Sequence, residues 1–71
     1  MIDLEKIKKL RKEKGIKMGD IAKELGYKYY QSYYRIENGK RKPSLDKLFK
    51  ISEILNISIE ELIKKGEEDE R

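Results

Sequence analysis

The segment Ile21–Ser44, IAKELGYKYYQSYYRIENGKRKPS, decides the fold. Two short helical stretches are broken at Gly26, a second break falls at Gly39, and a basic KRKPS follows. Glycine at such a break supplies the positive φ that closes one helix and lets the chain turn into the next element. Two helices joined this tightly and followed by a cationic loop form a helix-turn-helix with a phosphate-attracting edge, which is the layout of a duplex DNA reader.

Toward the N-terminus, Asp3 caps a first helix that begins at Leu4, with Ile2 set to pack on Ile7 as a hydrophobic staple. Leu4, Ile7 and Leu10 form its buried stripe, and Gly15 ends it. The second helix spans Met18 to Leu25 and turns Ile21, Ala22 and Leu25 inward. Its start is weak: Lys17 stands where a short oxygen acceptor is wanted, and Gly19 in the first turn costs up to about 1 kcal/mol relative to Ala. A third helix spans Tyr30 to Asn38 with Tyr33 and Ile36 on its inner face, and Tyr29 is again a poor cap.

Beyond Pro43 the signals strengthen. Ser44 caps a fourth helix whose Leu45, Leu48, Phe49, Ile51 and Leu55 are directed inward, and Asn56 takes the left-handed closing conformation. Ser58 with Glu61 makes a capping box and Ile57 with Leu62 a staple, so a fifth helix is predicted from Ile59 to Lys65, ended by Gly66. The expected architecture is one all-α, five-helix domain over residues 1–66, followed by a disordered acidic tail, EEDER, over residues 67–71.

Composition narrows the function. The 71 residues include no Cys and no His, which removes disulfides, thiolate and imidazole metal ligands, and the usual nucleophile and base of catalysis. Neither an enzyme nor a cofactor is expected. No apolar run approaches the ~20 residues of a membrane span, and IDLEKIKKLRK is no secretory signal, so a cytoplasmic, nucleoid-associated protein is predicted. Residues 1–43 carry 13 Lys/Arg against 6 Asp/Glu, or +7, and residues 44–71 carry 5 against 8, or −3. Charge considered alone is equally well explained by a solvated face; its coincidence with the helix-turn-helix half decides for phosphates.

Several other features have bland explanations. All five tyrosines lie between Tyr27 and Tyr34, a cluster that could stack single-stranded bases. Burial of Tyr33 and Tyr27 in the fold explains it better, with Tyr29, Tyr30 and Tyr34 left to make hydroxyl contacts to phosphate and apolar contacts to thymine methyls. Ser44 and Ser58 are caps, Ser52 faces a helix neighbour, and no base is present to activate any of them. The first helix has too narrow an apolar stripe for a membrane surface, and the EEDE run is better read as solvated than as a divalent-cation site.

From LRKEKGIKMGDIAKELG through YRIENGKRKPSLDKLFKISEILNISIEEL, the chain resembles the phage-repressor and Cro class of helix-turn-helix proteins, also called the xenobiotic-response-element type. Ala22, Gly26, Ile36, Glu37, Asn38, Gly39, the basic run and Pro43-Ser44 stand in order at nearly the family spacing. The resemblance implies a lambda-repressor-like domain that acts as a transcriptional repressor on double-stranded DNA. Carried over position by position, it puts Tyr30, Gln31, Ser32, Tyr34 and Arg35 on the groove-facing side of the third helix. Gln31 then suits adenine and Arg35 guanine, each worth ~1–3 kcal/mol of discrimination. Lys17, Asn38, Lys40, Arg41 and Lys42 would hold the backbone, with the Asn38 side chain and the following loop amides donating to phosphate.

Two departures stand out. Met18 occupies the position where the family usually carries Gln, and the distance from Gly26 to Ile36-Glu37 is one residue longer than the commonest pattern. The resemblance also implies a homodimer on a pseudo-palindromic operator, for which Ile57, Ile59, Leu62 and Ile63 offer an apolar surface. Glu37 is read as a structural ion pair with a basic neighbour. A rival reading is a protein-interaction module that binds a toxin, sensor or antirepressor and touches DNA weakly; Met18 and the weak caps favour it.

Overall fold

The computed structural model describes residues 2–63. Four α-helices follow one another: α1 (Leu4–Glu13), α2 (Met18–Glu24), α3 (Tyr30–Glu37) and α4 (Leu45–Leu55), with a single 3-10 turn at Ile59–Leu62. The helix starts divide as their caps predict. Asp3 accepts from the Lys6 N–H at 3.1 Å and Ser44 from the Lys47 N–H at 3.3 Å, whereas Lys17 and Tyr29 are extended and cap nothing.

All four helices close with one pattern of bonds. At the end of α2 the Gly26 N–H donates to Lys23 O at 2.9 Å and the Tyr27 N–H to Ala22 O at 2.9 Å; at the end of α3 Gly39 donates to Ile36 O at 3.2 Å and Lys40 to Arg35 O at 2.8 Å. The corresponding pairs at residues 15–16 and 56–57 close α1 and α4. This double bond, the Schellman closure, requires a left-handed residue just past the helix. Gly26 and Gly39 meet it at φ +89° and +75°, and Asn56 at φ +58°.

The expected fifth helix is not formed. Ser58 does accept from the Glu61 N–H at 3.3 Å, but the helical turn stops at Leu62 and Ile63 is extended. The reason is tertiary. Ile63 pairs antiparallel with Ile2, and Leu62 O accepts from the Asp3 N–H at 2.7 Å, so pairing between the two ends of the domain overrides local helix propensity. Lys64, Lys65 and Gly66, together with the tail over residues 67–71, lie outside the described residues.

Ile7, Ile21, Tyr33, Ile36, Ile51, Leu55 and Leu62 are fully buried and draw every element into one core. Two residues expected there are elsewhere. Leu45 is 65% exposed and Phe49 48% exposed. The inward line of α4 is Leu48, Ile51 and Leu55, and a residue one past Leu48 is rotated by about 100° from that line. Leu45, one turn before Phe49, shares its outer side. Among the described residues no helix is long and apolar enough to cross a membrane.

Candidate nucleic-acid interface

The seating of α3 determines which of its side chains face outward. Ala22, 2% exposed, lets α2 and α3 approach closely, and Tyr33 and Ile36 of α3 are buried one turn apart. The end of α3 is fixed by a buried ionic group. Arg11 Nε and Nη2 of α1 donate to the two Glu37 carboxylate oxygens at 2.7 and 3.1 Å, a bidentate pair, and the Tyr33 hydroxyl donates to Glu37 Oε2 at 2.7 Å. A third Arg11 bond, from Nη1 to Ile16 O at 2.8 Å, ties the same guanidinium to the α1–α2 connection. Burial pushes the Glu37 carboxyl up, but the bonds from Arg11 and Tyr33 outweigh it and hold the group below the usual carboxylate range. The bond to Glu37 in turn raises Arg11, and burial raises the Tyr33 phenol, so the triad is carboxylate, guanidinium and neutral phenol.

With Tyr33, Ile36 and Glu37 turned in, the opposite arc of α3 exposes Tyr30, Gln31, Tyr34 and Arg35 to solvent, with Ser32 half-buried. Helix α3 begins at Tyr30, so the additional residue before Ile36 is absorbed in the connection from Leu25 to Tyr29. A groove runs between the first turns of α2 and α3, lined by Gly19, Asp20, Lys23, Lys28, Tyr29 and Tyr30 among others. Lys17, at the cap of α2, and Lys40, Arg41 and Lys42, after α3, are all exposed.

The profile of the helix-turn-helix family matches residues 7–62. The chain belongs to that family. A solved structure of a SinR protein/SinI protein complex contains a chain of the same fold, with a TM-score of 0.76 and 31% identity over 97% of the present chain. The present chain spans 66% of that chain's length. No curated protein sequence matches. Family and structural match together make this a phage-repressor and Cro-like helix-turn-helix regulator fold.

Within this helix-turn-helix the loop after α3 differs from expectation in one respect. The backbone N–H groups of Gly39, Lys40 and Arg41 are spent on closing α3, and the Asn38 side chain donates to Tyr34 O at 2.9 Å. The positive charge of the loop is therefore offered by its side chains rather than by amides 39–41. A second correction concerns the apolar residues after α4. Leu62 is fully buried in the monomer core and has no surface to offer a second copy, while Ile57 and Ile59 are half-buried against the same core and Ile63 is half-buried.

Lys47 escaped sequence reasoning. From α4 its Nζ reaches back to donate to Leu25 O at 2.7 Å, which ties α4 to the turn of the motif, and it lies 4.9 Å from the centroid of the Tyr27 ring. Arg41 Cζ lies 5.2 Å from the same centroid, and Lys28 Nζ 5.7 Å from that of Tyr29. A lysine three residues past a cap carries no local signal of such a contact, because its partner is 22 residues away in sequence.

Proposed function

We propose that this domain binds double-stranded DNA at a short operator and represses transcription there. One observation carries the reading: α3 turns a polar and aromatic arc, Tyr30, Gln31, Tyr34 and Arg35, to solvent, and exposed cations stand at the cap of α2, Lys17, and in the loop that follows α3, Lys40, Arg41 and Lys42. In that arrangement Gln31 and Arg35 make bidentate bonds to adenine and guanine, Ser32 contacts the edge of the site, and the tyrosines reach phosphates and thymine methyls. Asn38 joins the cations through the second hydrogen of its side-chain amide. Two copies on a pseudo-palindromic site complete the proposal.

Purified protein on a non-specific duplex tests it. A mobility shift at low salt that is abolished as salt rises is the expected result, followed by recovery of a common sequence from genomic fragments. Failure to shift any duplex at low salt would leave the rival reading, a protein-interaction module of helix-turn-helix fold. That rival draws on the exposed Leu45 and Phe49 of α4, which lie outside the proposed DNA-binding set, and on the SinR/SinI complex, in which the similar protein is found with a protein partner.

A further inference from the structure

We infer that Tyr27 is a positioning residue: its ring holds Arg41 and Lys47 together at the helix-turn-helix turn as a paired anchor for the phosphodiester backbone of a duplex. The inference deepens the DNA-binding reading and rests on it. Both cations lie within cation–π range of one half-buried ring, at 5.2 and 4.9 Å from its centroid. They come from different elements, the loop after α3 and the first turn of α4, and would otherwise repel each other. Two features offset that repulsion, the electron-rich ring and the Leu25 carbonyl that accepts from Lys47 Nζ at 2.7 Å.

The backbone that carries the ring is itself fixed. The Tyr27 N–H donates to Ala22 O in the closure of α2, so Tyr27 follows Gly26 at a set angle. A Cβ on Gly26 would lie 3.8 Å from Lys47 Nζ, which shows how closely that ammonium approaches the turn. Among the described residues the one ion pair is Arg11–Glu37, so no carboxylate of residues 2–63 forms a salt bridge with Arg41 or Lys47. Two cations held against one ring at the turn of the motif each offer a contact to the phosphodiester backbone of a duplex. A guanidinium held against a ring still directs its N–H fork outward for a bidentate phosphate bond, and the ordering of both side chains is met on folding rather than on binding.

The test compares the parent with Tyr27→Phe and Tyr27→Leu on one non-specific duplex across a range of salt. Tyr27→Phe retains the ring face and should bind like the parent. Tyr27→Leu should weaken binding about 5- to 150-fold, the cost of ordering two side chains on binding instead of on folding, and make the slope of log K against log salt shallower by about 1 to 2. Arg41→Gln should then cost less in the Tyr27→Leu background than in the parent. If thermal unfolding shows Tyr27→Leu to be misfolded, the Arg41→Gln/Lys47→Gln double variant carries the same slope measurement. A parent that binds duplex, with a folded Tyr27→Leu or double variant that keeps its affinity and slope, overturns the anchor alone. A parent that binds no duplex overturns the DNA-binding reading and the anchor with it.

Discussion

Glu37 determines where α3 can sit, because a carboxylate with almost no solvent contact has to find its partners within the protein. Its two oxygens take the bidentate pair from Arg11 and one bond from Tyr33, and the magnitudes rank these contacts. Removing one partner of a buried ion pair costs about 3–5 kcal/mol, whereas losing one hydrogen bond to a charged group costs about 1.5–3 kcal/mol. Arg11→Met should therefore destabilise more than Tyr33→Phe in urea unfolding; the reverse order would mean that the phenol, not the guanidinium, secures the helix. The acid limb of stability follows from the same group. Its folded pKa is lowered, so its contribution is present above the unfolded value of about 4.3 and is lost as pH falls through the folded value. Between pH 6 and pH 3 the parent should lose more stability than Glu37→Gln. Equal losses in the two proteins would show that other carboxylates govern acid unfolding.

At the level of the elements, the proposed function divides the work of DNA binding between α3 and the loop after it. Arg35→Ala and Gln31→Ala should each relax preference at particular base pairs, while Lys40→Ala should weaken all sequences nearly alike. A uniform loss for Arg35→Ala, with base preference intact, moves Arg35 to the phosphate contacts. Helix α2 carries a separate defect: Gly19 lies inside it, its φ is ordinary, and a Cβ there meets nothing within 4 Å. Gly19→Ala should stabilise by about 0.5–1 kcal/mol, read as a raised unfolding midpoint. The helix ends were legible because Gly26, Gly39 and Asn56 act locally through their own backbone angles. Interior and exterior of α4 were legible only in part, since apolarity at Leu45 and Phe49 does not say whether a neighbour covers them. The length of the last helix and the reach of Lys47 depend on partners far along the chain, Ile2 and Leu25, and neither leaves a trace in the local sequence. The basic loop was visible as charge, but the use of its amides to close α3 was not.

For the molecule as a whole, the eight residues of α3 span too few base pairs to define an operator, and helix-turn-helix domains meet that need by placing two copies on half-sites about 34 Å apart. Each copy with about 4–6 phosphate contacts would give log K a slope against log salt of roughly −4 to −5 per subunit, and the Lys40→Ala/Lys42→Ala variant should flatten it. The surface proposed to pair the copies is narrower than composition suggests. Leu62 belongs to the monomer core, which leaves Ile57, Ile59 and Ile63, all half-buried, as the apolar residues that can face a second copy. This difference in burial separates two outcomes that would otherwise look alike. A lysine at position 62 would put an unpaired ammonium into the core, so Leu62→Lys should unfold the domain. Ile59→Lys and Ile63→Lys leave room for the charge to reach water, and each should give a folded monomer with weakened operator binding. Sedimentation of the parent at high concentration and on an operator-length duplex decides the matter: a dimer in either condition that Ile59→Lys disrupts supports this edge, and a monomer in both removes it.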